Sequence, residues 1–366
     1  MTGVPFLDLA VTDEPAVATA IERVLRGGVF VLGPEVAAFE QEFADFVGSG
    51  HCIGVDSGTS AIELVLRALG VGPGDEVIVP AYTAVATWMG VFEVGATPVG
   101  VDVDARTALI DPDAVRASIT ERTAAVIGVH LFGRAFDVRA VLTAAPGLPV
   151  IEDTAQAHGA EVDGGIAGSH GTAGTFSFYP TKNLGALGDG GAVVTNDPGL
   201  AEKVRLLRSY GWRDRSESLI IGGNHRLDEL QAAILRARLA RLPADNARRR
   251  TIAGTYLTEL ADLPQFGLPQ GPSSASVWHL FVGQVDEPDR WIDALAHHQI
   301  TALRHYSPLP HATTAIVERL GVTSLPCAET FAAHALSLPL FPAMSDPMTT
   351  RVIAGVRATA VAAEGR

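Results

Sequence analysis

Short apolar runs alternate with helix-compatible stretches through the first two thirds of the chain, and this alternation restricts the fold more than any other feature. The apolar runs are Cys52–Val55, Val77–Val79, Pro98–Val101, Ala124–Val129 and Val150–Ile151. Between them lie Thr59–Leu69, Ala84–Val94, Asp111–Ser118 and Val138–Ala144. Strand, crossover helix and strand at this spacing predict an α/β fold with a doubly wound, mostly parallel sheet. Two amphipathic helices, Asp13–Leu25 and Pro34–Phe46, are expected ahead of it, from apolar residues three and four apart. After Gly223 the pattern gives way to two successive helices, Arg226–Leu242 and Ala244–Leu260, with Pro243 at the junction. A strand-like run (Val277–Val285), a helix (Arg290–His298) and proline-rich connections follow. The expected division is a large α/β domain over residues 1–240 and a smaller C-terminal α+β domain over residues 241–366.

Composition narrows the class. With 366 residues, 47% hydrophobic and 19% charged, the chain can fill the cores of two domains. Its net charge of −14 contains no block of like charge, which argues against a nucleic-acid partner and against an anionic membrane surface. Cys52 and Cys327 stand far apart among apolar neighbours, without CxxC or Cys/His spacing, so they read as buried and reduced, and no metal site is expected. The N-terminus lacks a basic, apolar leader, and no run approaches the roughly 20 apolar residues that cross a bilayer. A cytoplasmic location is the expectation.

Three motifs carry chemistry. Asp56-Ser57-Gly58-Thr59-Ser60-Ala61 follows a predicted strand and opens a helix, whose free N–H groups and positive dipole end suit a phosphate. An ordinary N-cap by Ser57 or Thr59 is the alternative. Glu152-Asp153-Thr154-Ala155-Gln156-Ala157-His158-Gly159 ends another strand, at the edge where α/β sheets gather ligands. Asp153 there would hold a pyridinium nitrogen protonated, or else simply cap a helix; Glu152 points the other way by strand alternation. Lys182, in Tyr179-Pro180-Thr181-Lys182-Asn183-Leu184-Gly185, sits on a turn between two apolar strands. Burial there would lower its pKa and leave the partly neutral amine that imine chemistry needs. Taken together, the three point to pyridoxal phosphate (PLP).

These motifs, with Gly33-Pro34-Glu35-Val36, Gly188-Asp189-Gly190-Gly191, Asn224-His225-Arg226-Leu227 and Ser337-Leu338-Pro339-Leu340, resemble the DegT/StrS sugar aminotransferases of the fold-type I PLP enzymes, nearly end to end. The resemblance implies a homodimer with an active site shared between subunits. By position it implies that Lys182 carries the cofactor and shuttles the proton, that Asp153 pairs with the ring nitrogen, and that Gln156 sits over the ring. Gly58, Thr59 and Ser60 would hold the phosphate with the Ser177 hydroxyl, and Asn224 would reach it from the other subunit. Arg226, Tyr306 and His311 are candidates for substrate contacts. Ala84 stands where many relatives stack an aromatic on the ring, and Trp88, one helical turn on, is expected either to cover the ring or to pack in the core.

Dehydrating relatives carry histidine at the lysine position, so Lys182 favours transamination. The resemblance implies L-glutamate as donor and, as acceptor, a keto group of a nucleotide-linked (dTDP-type) keto-deoxysugar, at C3, in amino-sugar and antibiotic biosynthesis. A keto-cyclitol acceptor, and a PLP-binding regulator without turnover, are the alternatives.

Overall fold

Proline begins many of the helices, because the first helical position needs no N–H, and left-handed glycines such as Gly48 and Gly70 end others. The computed structural model describes residues 3–9, 14–214, 216–271 and 275–364. Helices α1 (Pro15–Gly27) and α2 (Pro34–Val47) lead into β1 (His51–Val55), α3 (Gly58–Leu69), β2 (Glu76–Pro80), α4 (Val85–Glu93) and β3 (Thr97–Val101). Asp13, where the first helix was expected to begin, lies outside the described residues. Next come α5 (Pro112–Ala117), β4 (Thr123–Val129), α6 (Val138–Ala144), β5 (Val150–Asp153), a small hairpin of β6 (Glu161–Val162) and β7 (Gly165–Ile166), β8 (Ala173–Ser177), β9 (Gly191–Thr195) and α7 (Pro198–Arg208).

The seven-stranded sheet has the order β1-β9-β8-β5-β4-β2-β3. β3, β2, β4, β5 and β8 pair in parallel, whereas β9 runs against both β8 and β1. The alternation in the sequence therefore yields an α/β fold with a mostly parallel sheet. Its helix-covered core contains Ile53, Leu64, Val77, Ile127 and Val193.

The C-terminal part consists of α8 (Glu229–Leu239), α9 (Leu242–Glu259), β10 (Phe281–Gln284), α10 (Pro288–His297), α11 (Thr314–Leu320), α12 (Pro326–His334), β11 (Ala335–Leu338) and α13 (Asp346–Glu364). Two boundaries differ from the sequence reading. α8 starts at Glu229 rather than Arg226, because Arg226 bridges to Val55 at the end of β1. Glu229 is then free to accept N–H bonds from Gly33, Glu35 and Val36, which caps α2. Pro243 falls in the first turn of α9, so it starts that helix rather than separating two others. Only residues 281–284 of the run at Val277–Val285 form a strand, since Trp278 takes a left-handed φ of 46°.

A second core, with Tyr256, Phe281, Trp291, Leu336 and Val352, fills this region. Val4 belongs to it and bridges to Ile300, so the start of the chain packs with the C-terminal part instead of with the large sheet. Residue 240 falls at the α8–α9 junction. Among the described residues, no helix is long and apolar enough to cross a membrane.

Candidate active site

β1, β5 and β8 run in one direction, so the segments that follow them meet at one edge of the sheet. After β1, Ser57 caps α3: its Oγ accepts from the Ser60 N–H at 3.1 Å and meets the Ser60 hydroxyl at 3.0 Å. The Gly58 and Thr59 N–H groups, in the first turn, have no acceptor within the helix, and the positive end of the helix dipole there suits an anion. A Cβ at Gly58 would stand 2.7 Å from Ser177 Cβ, so glycine is what lets α3 begin against the end of β8.

β5 delivers two carboxylates to opposite sides. Glu152 is fully buried and accepts N–H bonds from Gly168, His170 and Gly171, with His130 Nε2 at 2.8 Å. Burial would raise its pKa, but His130 and these backbone donors outweigh it and hold the carboxyl below its usual range. Asp153 turns to the other side. Its Oδ2 accepts from Thr87 Oγ1 at 2.8 Å and its Oδ1 from the Ala155 N–H at 3.1 Å. Thr83 Oγ1 lies 2.8 Å from Thr87 Oγ1 and extends the chain of hydroxyls. Burial raises the Asp153 pKa, against the pull of Thr87, Ala155 and the charge of Lys182.

After β8, the Lys182 N–H donates to the Tyr179 carbonyl and closes the turn that carries the amine. Burial lowers the Lys182 pKa to about 8, and Asp153 opposes the shift. Asn183 anchors the turn from behind: its Nδ2 donates to Asn246 Oδ1 (3.0 Å) and the Val277 carbonyl (2.9 Å), with His279 Nδ1 3.2 Å from its Oδ1. The His158 ring is buried against the Phe176 and Phe178 rings, where burial pushes its pKa down to about 3, and its carbonyl accepts from Asn246 Nδ2 at 2.9 Å.

A cavity of about 240 Å³ is bordered by Gly58, Thr59, Asp153, Gln156, Ser177 and Lys182. It fits PLP in chemistry. The N-terminus of α3 and the Ser177 hydroxyl would hold the phosphate, Asp153 would hold the ring nitrogen's proton, and the Lys182 amine is poised for the aldehyde. Gln156 is fixed by the Phe132 N–H on its Oε1 (2.9 Å) and donates to Tyr306 Oη at 2.8 Å, which ties Tyr306 to the site.

Other expected residues lie elsewhere. Trp88 does not cover the cavity. Its indole N–H donates to the Pro80 carbonyl (3.1 Å), and the ring fills the space left by Gly100, where a Cβ would come within 2.7 Å of it. Ala84 and Thr87 border the cavity in its place. Ser60 faces its cap and does not border the cavity. His311 is buried with its Nε2 3.3 Å from Glu329, and the Arg226 guanidinium lies over the Tyr210 ring at 5.4 Å; neither lines this cavity. Asn224 is exposed and bridges to Ser209. Thr87 is the functional residue that the sequence reading missed. Its signal was a pair of threonines, Thr83 and Thr87, four apart at the start of an otherwise apolar helix. Among the described residues, no cluster of His, Cys, Asp or Glu is arranged to hold a metal.

Comparison with known proteins bears on this geometry. Residues 12–357 match the model of the DegT/DnrJ/EryC1/StrS aminotransferase family. The dTDP-3-amino-3,4,6-trideoxy-alpha-D-glucose transaminase of Streptomyces venezuelae is 47% identical, over 97% of this chain and 95% of that one. The erythromycin biosynthesis sensory transduction protein EryC1 of Saccharopolyspora erythraea is also 47% identical, over 98% of this chain and 100% of that one. The crystal structure of S. venezuelae DesV with a ketimine intermediate superposes with a TM-score of 0.95 at 46% identity, covering 98% of this chain and 99% of that one. Family members are PLP enzymes, and solved relatives include PLP and PMP (pyridoxamine phosphate) forms.

Two measurements check the electrostatics. The chain has only two lysines, Lys182 and Lys203, so reductive ¹³C-methylation of the cofactor-free protein yields a simple spectrum. One lysine signal should titrate near pH 8, below the ordinary value of about 10.4, and should vanish in Lys182→Ala. No lysine titrating below about pH 9 would contradict the burial of this amine. Thr87→Val removes a donor to a carboxylate, worth about 1.5–3 kcal/mol, or roughly one to two pKa units. Asp153 would then stay protonated to higher pH, and the acid limb of the pH–kcat profile should move up by about one unit, whereas Thr87→Ser should keep it in place. An unmoved limb in Thr87→Val would mean that Thr87 does not tune Asp153.

Proposed function

Because the chain belongs to the DegT/DnrJ/EryC1/StrS aminotransferase family, we propose that it transfers an amino group from L-glutamate to the C3 keto group of a dTDP-linked keto-deoxysugar, as a step in antibiotic amino-sugar biosynthesis. The observation that carries the chemistry is the Lys182 amine, lowered to about 8 and set at the same cavity as the buried Asp153. The acceptor is supported by the 47% identical transaminase, whose name specifies a dTDP-3-amino sugar.

PLP, when bound, supplies the electron sink that makes the carbon bearing the amino group acidic. The protein supplies the rest. Lys182 Nζ, near neutrality, can take a proton from that carbon and return it to the neighbouring one. Asp153 holds a proton on the ring nitrogen, and Thr87 keeps the carboxylate oriented. The first turn of α3 and Ser177 fix the phosphate, and Gln156, itself held by Phe132 and Tyr306, limits where the ring can lie.

A homodimer with a shared site, and the cytoplasm as its location, belong to the same reading. Exposed apolar side chains support the dimer: Tyr179, at the cavity's margin, stands out to solvent, as do Val85, Phe30, Leu187 and Ile221. Asn224, also exposed, would reach the phosphate held by the partner subunit. A monomer in light scattering at micromolar concentration would break this part of the reading.

A keto-cyclitol acceptor has less support, since the named relative acts on a nucleotide-linked sugar. A binding-only role, which the name of the sensory relative evokes, leaves the near-neutral amine and its hydroxyl-tuned carboxylate without a task.

The test is a pair of half-reactions. L-Glutamate should convert the PLP-loaded protein with release of one equivalent of 2-oxoglutarate, shifting the absorbance from about 410 nm to about 330 nm as the imine is consumed. A dTDP-linked 3-keto-6-deoxysugar should then restore the first band and give the 3-amino product, and Lys182→Ala should do neither. Restoration by keto-inositols but not by the sugar would replace the acceptor. A band inert to every amino donor would favour the binding-only role.

A further inference from the structure

Asn246, near the start of α9, is 3% exposed and has both ends of its amide engaged. Its Oδ1 accepts from Asn183 Nδ2 at 3.0 Å, and its Nδ2 donates to the His158 carbonyl at 2.9 Å. The two partners belong to separate segments. Asn183 follows Lys182 on the turn after β8, and His158 stands two residues beyond Gln156 in the segment after β5. One amide of the C-terminal part therefore spans the two segments that bring Lys182 and Gln156 to the cofactor cavity.

These bonds admit a single arrangement. Asn183 has two amide hydrogens, which go to Asn246 Oδ1 and the Val277 carbonyl, so its oxygen is left to accept from His279 Nδ1 at 3.2 Å. The His158 carbonyl can only accept, so Asn246 turns its nitrogen there and its oxygen to Asn183. Exchanging nitrogen and oxygen in either amide would set donor against donor or acceptor against acceptor. A buried network with every group satisfied in one way is rigid.

Asn246 borders neither the cofactor cavity nor a second one, of about 330 Å³, that Lys182 also borders. Its influence on the reaction passes through the two segments that it joins. The Lys182 N–H bond to Tyr179 closes the lysine turn but does not tie it to the segment after β5. Proton transfer needs Nζ within hydrogen-bond reach of the reacting carbons. A displacement of about 1 Å can cost on the order of 100-fold in rate.

We propose that Asn246 is a positioning residue for amino transfer, holding the Lys182 turn and the Gln156–His158 segment at a fixed separation. The proposal rests on the reading of the chain as an aminotransferase that works through Lys182.

The experiment reads position apart from binding. Asn246→Ala should slow both half-reactions at saturation by about 10- to 100-fold, with the half-saturating concentrations of glutamate and of keto sugar unchanged. A contact to one substrate would instead weaken one half-reaction. In the cofactor-free, ¹³C-methylated protein, the Lys182 signal should titrate above its value of about 8, because a loosened turn admits water and burial is what lowers this amine. Asn246→Asp has the same shape, keeps the acceptor for Asn183 and loses the donor to His158, so it should show the same slowing. Thr251→Ala, exposed on the same helix, should change none of these readings. A crystal structure of the PLP-loaded wild type, which depends on no variant's folding, should show the Asn246 amide between Asn183 and the His158 carbonyl. Unchanged rates or an unmoved lysine titration in Asn246→Ala, a loss confined to one half-reaction, or an Asn246 amide turned away from either partner would each overturn the assignment. If the wild type transferred no amino group, the proposed function would fall first, and the lysine titration would still judge Asn246.

Discussion

Everything at this site depends on the opposition of one buried amine and one buried carboxylate. Parallel pairing of β5 with β8, with Asp153 opposite Thr175, carries Asp153 and the Lys182 turn to the same edge. Burial drives both groups towards their neutral forms, and the charge of each pulls the other back. Lys182 is thereby brought down to about 8, towards the range in which an amine can both take and return a proton. Neither shift would arise on an exposed loop.

The surrounding structure maintains that balance. On one side of β5, Glu152 gathers three backbone N–H groups and His130, which pins the segment entering β8. On the other, Thr87 keeps a hydroxyl on Asp153. Behind the lysine, Asn183 uses both amide hydrogens and its oxygen to bind the turn to α9 and to the loop carrying Val277 and His279. The amine is thus held by both the large sheet and the C-terminal part, and movement between them would be felt at Lys182.

Much of this was legible in the sequence because it is written locally. Glycine at 58, the strand-end acid at 153 and the lysine on its turn each follow a strand whose apolar run is visible, so topology alone brings them together. The contacts that failed are those set across the fold. Which way Trp88 turns is decided by Gly100 on the neighbouring strand, whose missing side chain admits the indole to the core. The start of α8 is decided by a bridge between Arg226 and β1, and the burial of His311 by α12. No periodicity in a single segment encodes such meetings.

The central claim is that Lys182 is the cofactor's attachment point, and the scarcity of lysine makes this directly measurable. The purified protein would be loaded with PLP, reduced with borohydride to fix any imine, digested and mapped by mass spectrometry. The account predicts one phosphopyridoxyl group per chain, on the peptide containing Lys182. A label on Lys203 or the N-terminal amine, with Lys182 unmodified, would contradict it.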